Sequence, residues 1–229
     1  YHYLWWFDVS DPENPSYADA ETCGSYVQSV TMSPLASYAC LGDGTIKVFD
    51  TSNLPTVVSK PDGTLPSPDS VGDMIVYYDD MYISRLGTQW MWRFNVSDPY
   101  NPYYMGANYG APDMGNQHEL LRDPDSDYMY VSYDDGLAVY DLTAPGIADI
   151  IELSQAPNIR HVGQGGLYAY LCDNTSNPIA VDVSNPHYVA EFGEPFGDSL
   201  GFQVKGLIEN DGYLYILHNN IGVRIFDLY

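Results

Sequence analysis

The stretch Phe7-Asp8-Val9-Ser10-Asp11-Pro12 decides the fold, because related versions of it recur along the chain. The later versions are Phe49-Asp50-Thr51-Ser52-Asn53, Phe94-Asn95-Val96-Ser97-Asp98-Pro99, Tyr140-Asp141-Leu142-Thr143-Ala144-Pro145, Val181-Asp182-Val183-Ser184-Asn185-Pro186 and Phe226-Asp227-Leu228. Their Asp or Asn residues are 42, 45, 46, 41 and 45 residues apart in succession. A period of about 44 residues indicates a repeat architecture with one supersecondary unit per repeat. These six segments are the aspartate motifs of the chain.

Each aspartate motif has the chemistry of a turn that follows a strand. The residues before it alternate between polar and apolar, as in Thr45-Ile46-Lys47-Val48-Phe49, and a period of two predicts a β-strand. The Asp and Ser side chains can accept hydrogen bonds from nearby backbone N–H groups, and Pro fixes φ where the chain turns. We therefore assign these aspartates a structural role.

Three further strands are predicted in the repeats. A Tyr-rich strand lies about 12 residues upstream of every motif except the first, and Gly, Asp and Asn residues join the two as a hairpin. A weaker strand precedes the Tyr-rich one, and a fourth strand follows the motif. The Tyr-rich strands are predicted at residues 38–41, 81–84, 128–131, 167–170 and 213–216. Four antiparallel strands per repeat indicate an all-β fold, a β-propeller of four-stranded antiparallel blades.

The strand count leaves five or six blades open. We expect one propeller domain over residues 1–229, with repeat units at about 1–24, 25–65, 66–110, 111–155, 156–196 and 197–229. The motif occurs six times, but the first and second strands occur five times. In the usual closure, residues 16–22 would complete the blade that ends at Phe226, and residues 4–7 would be surplus. Three explanations fit: a six-bladed ring without its opening strands, a five-bladed ring with an extra strand, and a strand donated to a neighbouring subunit.

The motif Phe-Asp-Val-Ser-Asp-Pro, with an Asn-Pro after it and a Leu-Tyr-Ala-Tyr strand before it, resembles the LVIVD-repeat family of β-propellers. The resemblance covers nearly the whole chain. It departs from the family pattern at Asn95, at Val181 and at Thr51-Ser52-Asn53-Leu54-Pro55, which implies altered edges in blades two and five. It also implies an extracellular or cell-surface protein, and it brings no catalytic residues with it.

The charge of the chain excludes several classes of partner. Eight Lys and Arg residues stand against 31 Asp and Glu residues, which gives a formal net charge of −23. Such a chain repels nucleic acid and anionic membrane surfaces. No stretch approaches the ~18 apolar residues of a membrane span, so we expect no membrane insertion. The sequence does not begin with Met, so we expect a processed or incomplete product whose signal peptide has been lost.

Three cysteines and two sequons bear on the compartment. Cys23, Cys40 and Cys172 form no CxxC pair, which argues against a sulfur-bound metal. Cys23 and Cys40 either form a disulfide in an oxidising compartment or remain two buried thiols. The sequons predict N-glycosylation at Asn95 and Asn174, which is compatible with export.

The most metal-like segment is Asp123-Pro124-Asp125-Ser126-Asp127. Its alternating carboxylates resemble the opening of a calcium loop, and Asp134 stands at the twelfth position. Asp123, Asp125, Asp127 and Asp134 are therefore a candidate calcium site. Tyr128 occupies the position of the glycine of such loops, so an acidic hairpin between two strands is the alternative. No other cofactor is expected.

A second candidate site lies on the first strands of the repeats, which line the central channel of a propeller. The polar residues predicted there are His118, Glu119, Arg160, His161 and Lys205. Imidazoles, a carboxylate and cations that converge on one axis could bind a small anion or a metal. Hydrogen bonds to the next blade are the alternative use of the same side chains.

The N-terminal run Tyr3-Leu4-Trp5-Trp6-Phe7 is apolar and must pair with another strand. We predict self-assembly through Leu4, Trp5, Trp6 and Phe7, which gives a homo-oligomer or, with a head-to-tail contact that does not close, a fibre.

The chain lacks a Gly-x-Ser-x-Gly elbow, a phosphate loop, an HExxH motif and a dinucleotide fingerprint, so we expect that it is not an enzyme. The predicted function is an extracellular module for binding, adhesion or self-assembly, such as a subunit of a surface filament. The alternative is a secreted carbohydrate-binding or carbohydrate-active protein that uses the channel mouth, with aromatic side chains that stack on sugar rings or paired carboxylates that cleave a glycosidic bond.

Overall fold

The computed structural model describes residues 2–66, 71–88, 90–109, 115–123, 126–143, 146–153, 158–173, 178–192, 204–219 and 222–228. In these ranges the regular elements are β-strands in antiparallel sheets. The chain forms two compact units, residues 1–86 with 91–108 and residues 87–90 with 109–229. Among the described residues there is no helix long and apolar enough to cross a membrane.

The described residues of the first unit form three sheets. Its strands are β1 (Tyr3–Asp8), β2 (Ser16–Thr22), β3 (Val27–Met32), β4 (Ala36–Leu41), β5 (Thr45–Asp50), β6 (Val58–Ser59), β7 (Gly63–Thr64), β8 (Val71–Tyr77), β9 (Asp80–Arg85), β10 (Met91–Asn95) and β11 (Tyr103–Tyr109). One sheet pairs β1 with β2. The next has the order β3-β4-β5-β6, with β7 also paired to β5, and the third has the order β8-β9-β10-β11.

The described residues of the second unit form three more sheets. Its strands are β12 (Gln117–Arg122), β13 (Tyr128–Tyr133), β14 (Gly136–Asp141), β15 (Gly146–Glu152), β16 (His161–Gly165), β17 (Tyr168–Cys172), β18 (Ile179–Asp182), β19 (Ala190–Phe192), β20 (Val204–Asn210), β21 (Tyr213–His218) and β22 (Gly222–Asp227). The sheets are β12 to β15, β16 to β19 and β20 to β22, each in sequence order. The predicted all-β fold of four-stranded antiparallel sheets is confirmed, whereas the number of blades and the single domain stay predictions.

Every aspartate motif begins at the end of the third strand of its repeat. The last residues of β1, β5, β10, β14, β18 and β22 are Asp8, Asp50, Asn95, Asp141, Asp182 and Asp227. In five of them a side-chain oxygen accepts the backbone N–H two residues later, at 2.8–3.2 Å. At Asp182 the hydroxyl and the backbone N–H of Ser184 hold the pKa of the carboxyl below its ordinary value. The motif is thus a turn, as its chemistry predicts.

An inner sheet packs one face on the sheet before it and the other on the sheet after it. On β4, Leu41 packs in a cluster with Trp6 of the first sheet. Tyr38 and Cys40 point to the opposite face of β4 and pack in a cluster with Trp92 of the third sheet. Because side chains alternate along a strand, one strand serves both interfaces.

This alternation explains the state of the cysteines. Cys23 packs in the cluster of Leu41, whereas Cys40 points to the other face of β4. Of the two alternatives for Cys23 and Cys40, the disulfide is therefore excluded and two buried thiols are found, and Cys172 is also free and buried. Burial raises the pKa of the Cys40 thiol to about 12. These thiols act as small apolar core residues.

Carboxylates join adjacent sheets through their fourth strands. Asp19 on β2 accepts the N–H of Val57, which precedes β6, at 2.9 Å. Asp149 on β15 accepts the N–H of Val189, which precedes β19, at 2.7 Å. The hydrogen bond from Val57 keeps the pKa of Asp19 below its ordinary value. Since β2 carries the same contact as β15, it is the fourth strand of its blade.

The N-terminal strand pairs within its own chain. The register of β1 and β2 runs from Tyr3 opposite Thr22 to Asp8 opposite Ser16. This pairing corrects the expectation that residues 16–22 complete the sheet that ends at Phe226. Residues 4–7 are not surplus, because they form the third strand of the blade to which β2 belongs.

Candidate functional site

The second unit brings polar side chains of its inner strands together. β12, β16 and β20 are the first strands of three successive sheets, and they lie side by side with β16 in the middle. His118 and Glu119 are on β12, and Arg160 and His161 lie at the start of β16. Asp134 belongs to the turn between β13 and β14. These five residues form the inner cluster, which contains four of the five residues predicted for a channel site.

His118 lies between a carboxylate and a guanidinium. Its Nε2–H donates to Asp134 Oδ1 at 2.7 Å, and its Nδ1 accepts from Arg160 Nη1 at 3.0 Å. Because a guanidinium only donates, these bonds assign the neutral tautomer with the proton on Nε2. The imidazole is 6% exposed, and burial lowers its pKa below the ordinary value, although Asp134 acts in the opposite direction. The structure therefore holds His118 uncharged.

Asp134 is the carboxylate that orients this imidazole. Its Oδ2 accepts the backbone N–H of Asn116 at 3.0 Å and the side-chain amide of Asn116 at 2.7 Å. Burial alone would raise the pKa of Asp134. The hydrogen bonds from Asn116 and His118 and the charge of Arg160 outweigh burial, so the pKa lies below its ordinary value.

Glu119 and His161 make a second contact between the same two strands. The register of β12 shifts between Gln117 and Leu120, so Glu119 departs from the simple alternation of side chains and reaches β16 as His118 does. Its Oε2 accepts the N–H of Val162 at 2.8 Å and lies 3.6 Å from His161 Nδ1. Two successive side chains of β12 are thus linked to β16.

The inner cluster can offer a solute one carboxylate and one guanidinium. Glu119 and Arg160 are 32% and 34% exposed, whereas both ring nitrogens of His118 are engaged. Lys205 lies exposed on β20, with β16 between it and β12, so it is not part of the cluster. In the part of the chain that the structure describes, no three His, Cys, Asp or Glu side chains are placed to hold a metal.

Sequence reasoning missed Asn116 and placed Asp134 in another site. The register of the sheet contains the missing signal, since Gln117 on β12 lies opposite Tyr133 on β13. The residues next to them, Asn116 and Asp134, must therefore be close in space. A register drawn from the hairpin would have found the pair.

The acidic segment does not form the predicted calcium loop. Asp123 and Asp127 precede β13, and Asp123 Oδ2 accepts the hydroxyl hydrogen of Ser126 at 2.7 Å. Asp134 follows β13, and a strand rises about 3.4 Å per residue, so about 24 Å separate it from Asp127. Asp125 lies outside the described residues. The prediction that these four aspartates share one calcium ion is wrong, because Asp134 belongs to the inner cluster.

Two of the predicted assembly residues belong to the core. Trp6 is 6% exposed, and its ring centre lies 5.0 Å from that of Phe49. Its Nε1–H donates to Ser37 Oγ at 3.2 Å. Leu4 packs against the same cluster. The prediction that Leu4 and Trp6 bind another subunit is therefore corrected, because their side chains already bind the second sheet of their own chain.

The other two predicted assembly residues lie on the outer face of the same sheet. Trp5 and Phe7 are 57% and 53% exposed, and Tyr3 and Tyr17 lie beside them with 48% and 56% exposed. Ring centres are 6.4 Å apart for Tyr3 and Trp5, 5.8 Å for Trp5 and Tyr17, and 6.3 Å for Phe7 and Tyr17. These four edge-to-face rings form the aromatic face of the β1–β2 sheet.

One of the two predicted glycosylation sites can be placed. Asn95 ends β10, and its side-chain oxygen accepts the N–H and the hydroxyl of Ser97 at 3.2 and 2.6 Å. Asn174 lies outside the described residues. Glycosylation of either residue stays a prediction.

Comparisons with known proteins bear on the fold. No family model matches the chain, and no curated protein matches it either. Among solved structures, a chain of Kuenenia stuttgartiensis hydrazine synthase matches with a TM-score of 0.72 and 13% sequence identity, over 93% of this chain and 68% of that chain. That protein contains a β-propeller. At this identity the likeness shows the fold alone, and it confirms the predicted fold class.

The same comparison corrects the prediction that this chain is not an enzyme. The matching structure is that of a synthase, so this fold occurs in an enzyme. The absence of familiar catalytic motifs therefore does not separate this chain from enzymes. Because fold does not determine function, the likeness also does not assign that activity to this chain.

Proposed function

We propose that this chain is an extracellular β-propeller of LVIVD-type repeats that binds protein, including further copies of itself, through the aromatic face. The repeat type is supported by the six aspartate motifs, and the compartment by the two sequons. Binding at a cell surface or within a surface filament is the setting that fits this combination.

The exposure of Tyr3, Trp5, Phe7 and Tyr17 is the observation that carries the proposal. Contiguous exposed apolar side chains on a soluble protein mark an interaction site. Tyrosine and tryptophan are also enriched among the residues that dominate binding energy. Phe49 takes the same place in the next aspartate motif as Phe7, and it is fully buried against the preceding sheet. The aromatic face is therefore of a type that other sheets of this chain keep covered.

The charge of the chain also favours this face as a contact surface. By the register of β1 and β2, the side chains on the outer face include those of Ala20 and Thr22 beside the four aromatic ones. None of these residues is charged, in a chain with a net charge of −23. A second acidic chain can approach here without placing carboxylates directly against each other.

Trp5→Glu tests the proposal, because it places a charge in the centre of the aromatic face without altering the core. We expect the wild-type protein to form oligomers or fibres and Trp5→Glu to be monomeric, as measured by light scattering after size exclusion and by negative-stain electron microscopy. The matched control is Tyr188→Glu, which charges a tyrosine that is 75% exposed outside the aromatic face. This control should assemble like the wild type.

A monomeric wild-type protein at all concentrations would remove self-association from the proposal. Assembly that is equally strong in Trp5→Glu would exclude the aromatic face as its site. Circular dichroism of each variant distinguishes lost assembly from lost fold.

A second candidate function is carbohydrate binding or cleavage at the inner cluster. The observation that favours it is the partial exposure of Glu119, beside His161, and of Arg160, which lies 3.8 Å from Asp134. Glu119→Gln keeps the shape of the side chain and removes its charge, so it should abolish binding or hydrolysis in a glycan screen. Equal signals from the wild type and this variant would exclude the cluster.

A further inference from the structure

The last sheet exposes an apolar face of its own. Ile208, Leu217, Val223 and Ile225 are 62%, 49%, 55% and 61% exposed. Ile208, Leu217 and Val223 line a shallow pocket of about 330 Å³ together with Gly206, Leu207 and Tyr215. Ile225 is outside this lining and lies opposite Tyr215 in the sheet register. We define the C-terminal face as Gly206, Ile208, Tyr215, Leu217, Val223 and Ile225. The side of β20–β22 with Leu214 and Ile216 is instead buried against β17 and β18.

Two positions of the C-terminal face, those of Leu217 and Tyr215, are buried in the four preceding sheets. In the sheet register Leu217 lies opposite Val223. The corresponding pair is Cys40 opposite Ile46 in the second sheet and Ser132 opposite Leu137 in the fourth. Both Cys40 and Ser132 are completely buried, and so are their counterparts on β9 and β17. Tyr215 corresponds in the same way to Tyr38, Tyr82, Tyr130 and Tyr170, which are at most 5% exposed. Exposure is therefore peculiar to the last sheet.

A following sheet buries these positions elsewhere in the chain. Tyr38 and Cys40 pack in one cluster with Trp92 and Phe94 of the next sheet. Phe94 belongs to an aspartate motif, as Phe7 does. The surface of β4 that corresponds to the C-terminal face thus packs against the aromatic residue of the aspartate motif of the following sheet.

The aromatic face is such a surface. Phe49, the counterpart of Phe7, packs on Trp6 of the preceding sheet. Tyr3, Trp5, Phe7 and Tyr17 are therefore on the side of the β1–β2 sheet that corresponds to contact with a preceding sheet, whereas the C-terminal face corresponds to contact with a following one. Neither set of six facing positions contains a carboxylate, although the chain carries 31.

We propose that the C-terminal face of one molecule binds the aromatic face of a second copy. This inference rests on the proposed function and names the surface that the aromatic face binds. The contact continues, between molecules, the sheet-to-sheet interface that repeats inside the chain. Because two different surfaces meet, the association is heterologous and head-to-tail, and it extends into a fibre or closes into a ring.

The size of the two faces predicts a weak individual contact. An aromatic side chain buries about 150–250 Å² when it is fully covered, so covering the exposed halves of four of them removes about 400 Å² from water. The aliphatic C-terminal face loses a comparable area, so the contact buries about 800 Å² in total. Interfaces that bury less than about 1,200 Å² are at the small end of specific protein interfaces. We expect assembly to depend on concentration over the micromolar range.

Two complementary variants test the head-to-tail contact. Trp5→Glu charges the aromatic face and leaves the C-terminal face intact, whereas Ile225→Glu does the reverse. Each variant alone should be monomeric in analytical ultracentrifugation. An equimolar mixture should form a 1:1 dimer and nothing larger, because only one pair of matching faces remains. A mixture of Trp5→Glu with Phe7→Glu serves as the control, since both variants lack the aromatic face and their mixture should stay monomeric.

Three results would overturn the inference. If Ile225→Glu assembles like the wild type while Trp5→Glu does not, the proposed function stands and the partner surface is a different one. If the mixture of the two variants stays monomeric although each is folded by circular dichroism, the faces do not bind each other. A cross-link between cysteines introduced at Phe7 and Ile225 that forms within single molecules would show that the faces meet inside one chain instead.

Discussion

Phe7 and Phe49 occupy the same place in two successive aspartate motifs, yet one is 53% exposed and the other is fully buried. Both are the last residue but one of a third strand, and both precede an Asp that caps a turn. The repeat therefore determines the backbone at these positions, but the neighbouring sheet determines the environment of the side chain. Because Phe49 is covered by a neighbouring sheet and Phe7 is not, substitutions at the two positions compare the stabilisation that a sheet-to-sheet contact gives within one protein.

A second pair of positions shows that the uncovered faces are not mere copies of the covered ones. Leu217 takes the place that Cys40 and Cys172 take in buried junctions. A leucine is larger and would overfill a junction that is packed around a cysteine. The C-terminal face thus differs from its buried counterparts in the size of this side chain.

The largest expected effect comes from truncating the two phenylalanines. Phe49→Ala should lower the free energy of unfolding by about 3–5 kcal/mol, since it leaves a cavity beside Trp6. Phe7→Ala should change the free energy by about 0.5 kcal/mol or less, because the ring is half exposed. Urea denaturation of both variants measures the difference. Equal losses would contradict the described burial of the two rings.

The adjacent tryptophans give the next largest contrast. Trp6→Phe removes the hydrogen bond to Ser37 Oγ, which is a buried acceptor, and should cost about 1–3 kcal/mol of stability. Trp5→Phe makes the matched change on the exposed side of the same strand and should alter stability by about 0.5 kcal/mol or less. Thermal unfolding of the two variants checks the assignment. A larger loss in Trp5→Phe would mean that β1 is in the opposite register.

The strands could be predicted because each repeat contains the residues that form its turns. All six aspartate motifs end a strand, and the predicted Tyr-rich segments fall within or beside β4, β9, β13, β17 and β21. These features depend on residues close together in the sequence, and the recurrence of the pattern separates it from chance. Local chemistry thus predicted the fold class.

The contacts between sheets could not be predicted in the same way. His118 is 16 residues from Asp134 and 42 residues from Arg160 in the sequence. No local pattern distinguishes a carboxylate in a turn from one that binds an imidazole. The same limit left the disulfide between Cys23 and Cys40 an open alternative, since proximity in the chain does not reveal that the two thiols lie on opposite sides of β4. Side-chain direction at a bulged or paired strand is a property of the assembled sheet.

The stability of the contact between β12 and β16 should also depend on pH, because His118 lies in it. Its folded pKa is lower than its unfolded pKa of about 6.5, so the unfolded chain binds a proton that the folded site resists. Stability is therefore fully present above about pH 6.5 and is lost as pH falls towards the folded pKa. Protonation at Nδ1 would also break the bond from Arg160, and Asp134 offsets part of the cost. The charge of His161, which lies 3.6 Å from Glu119, also lowers the pKa of His118.

The measurement is the free energy of unfolding by urea at pH 7.5 and at pH 5.5, in the wild type and in His118→Gln. The wild type should lose more stability between the two pH values than the variant, whatever the variant loses at pH 7.5. An identical pH dependence in both proteins would show that His118 is not the group that titrates.

Salt should have the smallest effect, and it acts on the uncovered faces alone. Two chains of charge −23 repel each other, and the screening length falls from about 10 Å at 0.1 M salt to about 3 Å at 1 M. Raising NaCl from 0.1 to 0.5 M should therefore strengthen association of the wild type a few-fold in analytical ultracentrifugation, because the contact itself is apolar. The Trp5→Glu variant should stay monomeric at both salt concentrations. Association that weakens with salt would mean that charged groups, and not the aromatic and C-terminal faces, hold the molecules together.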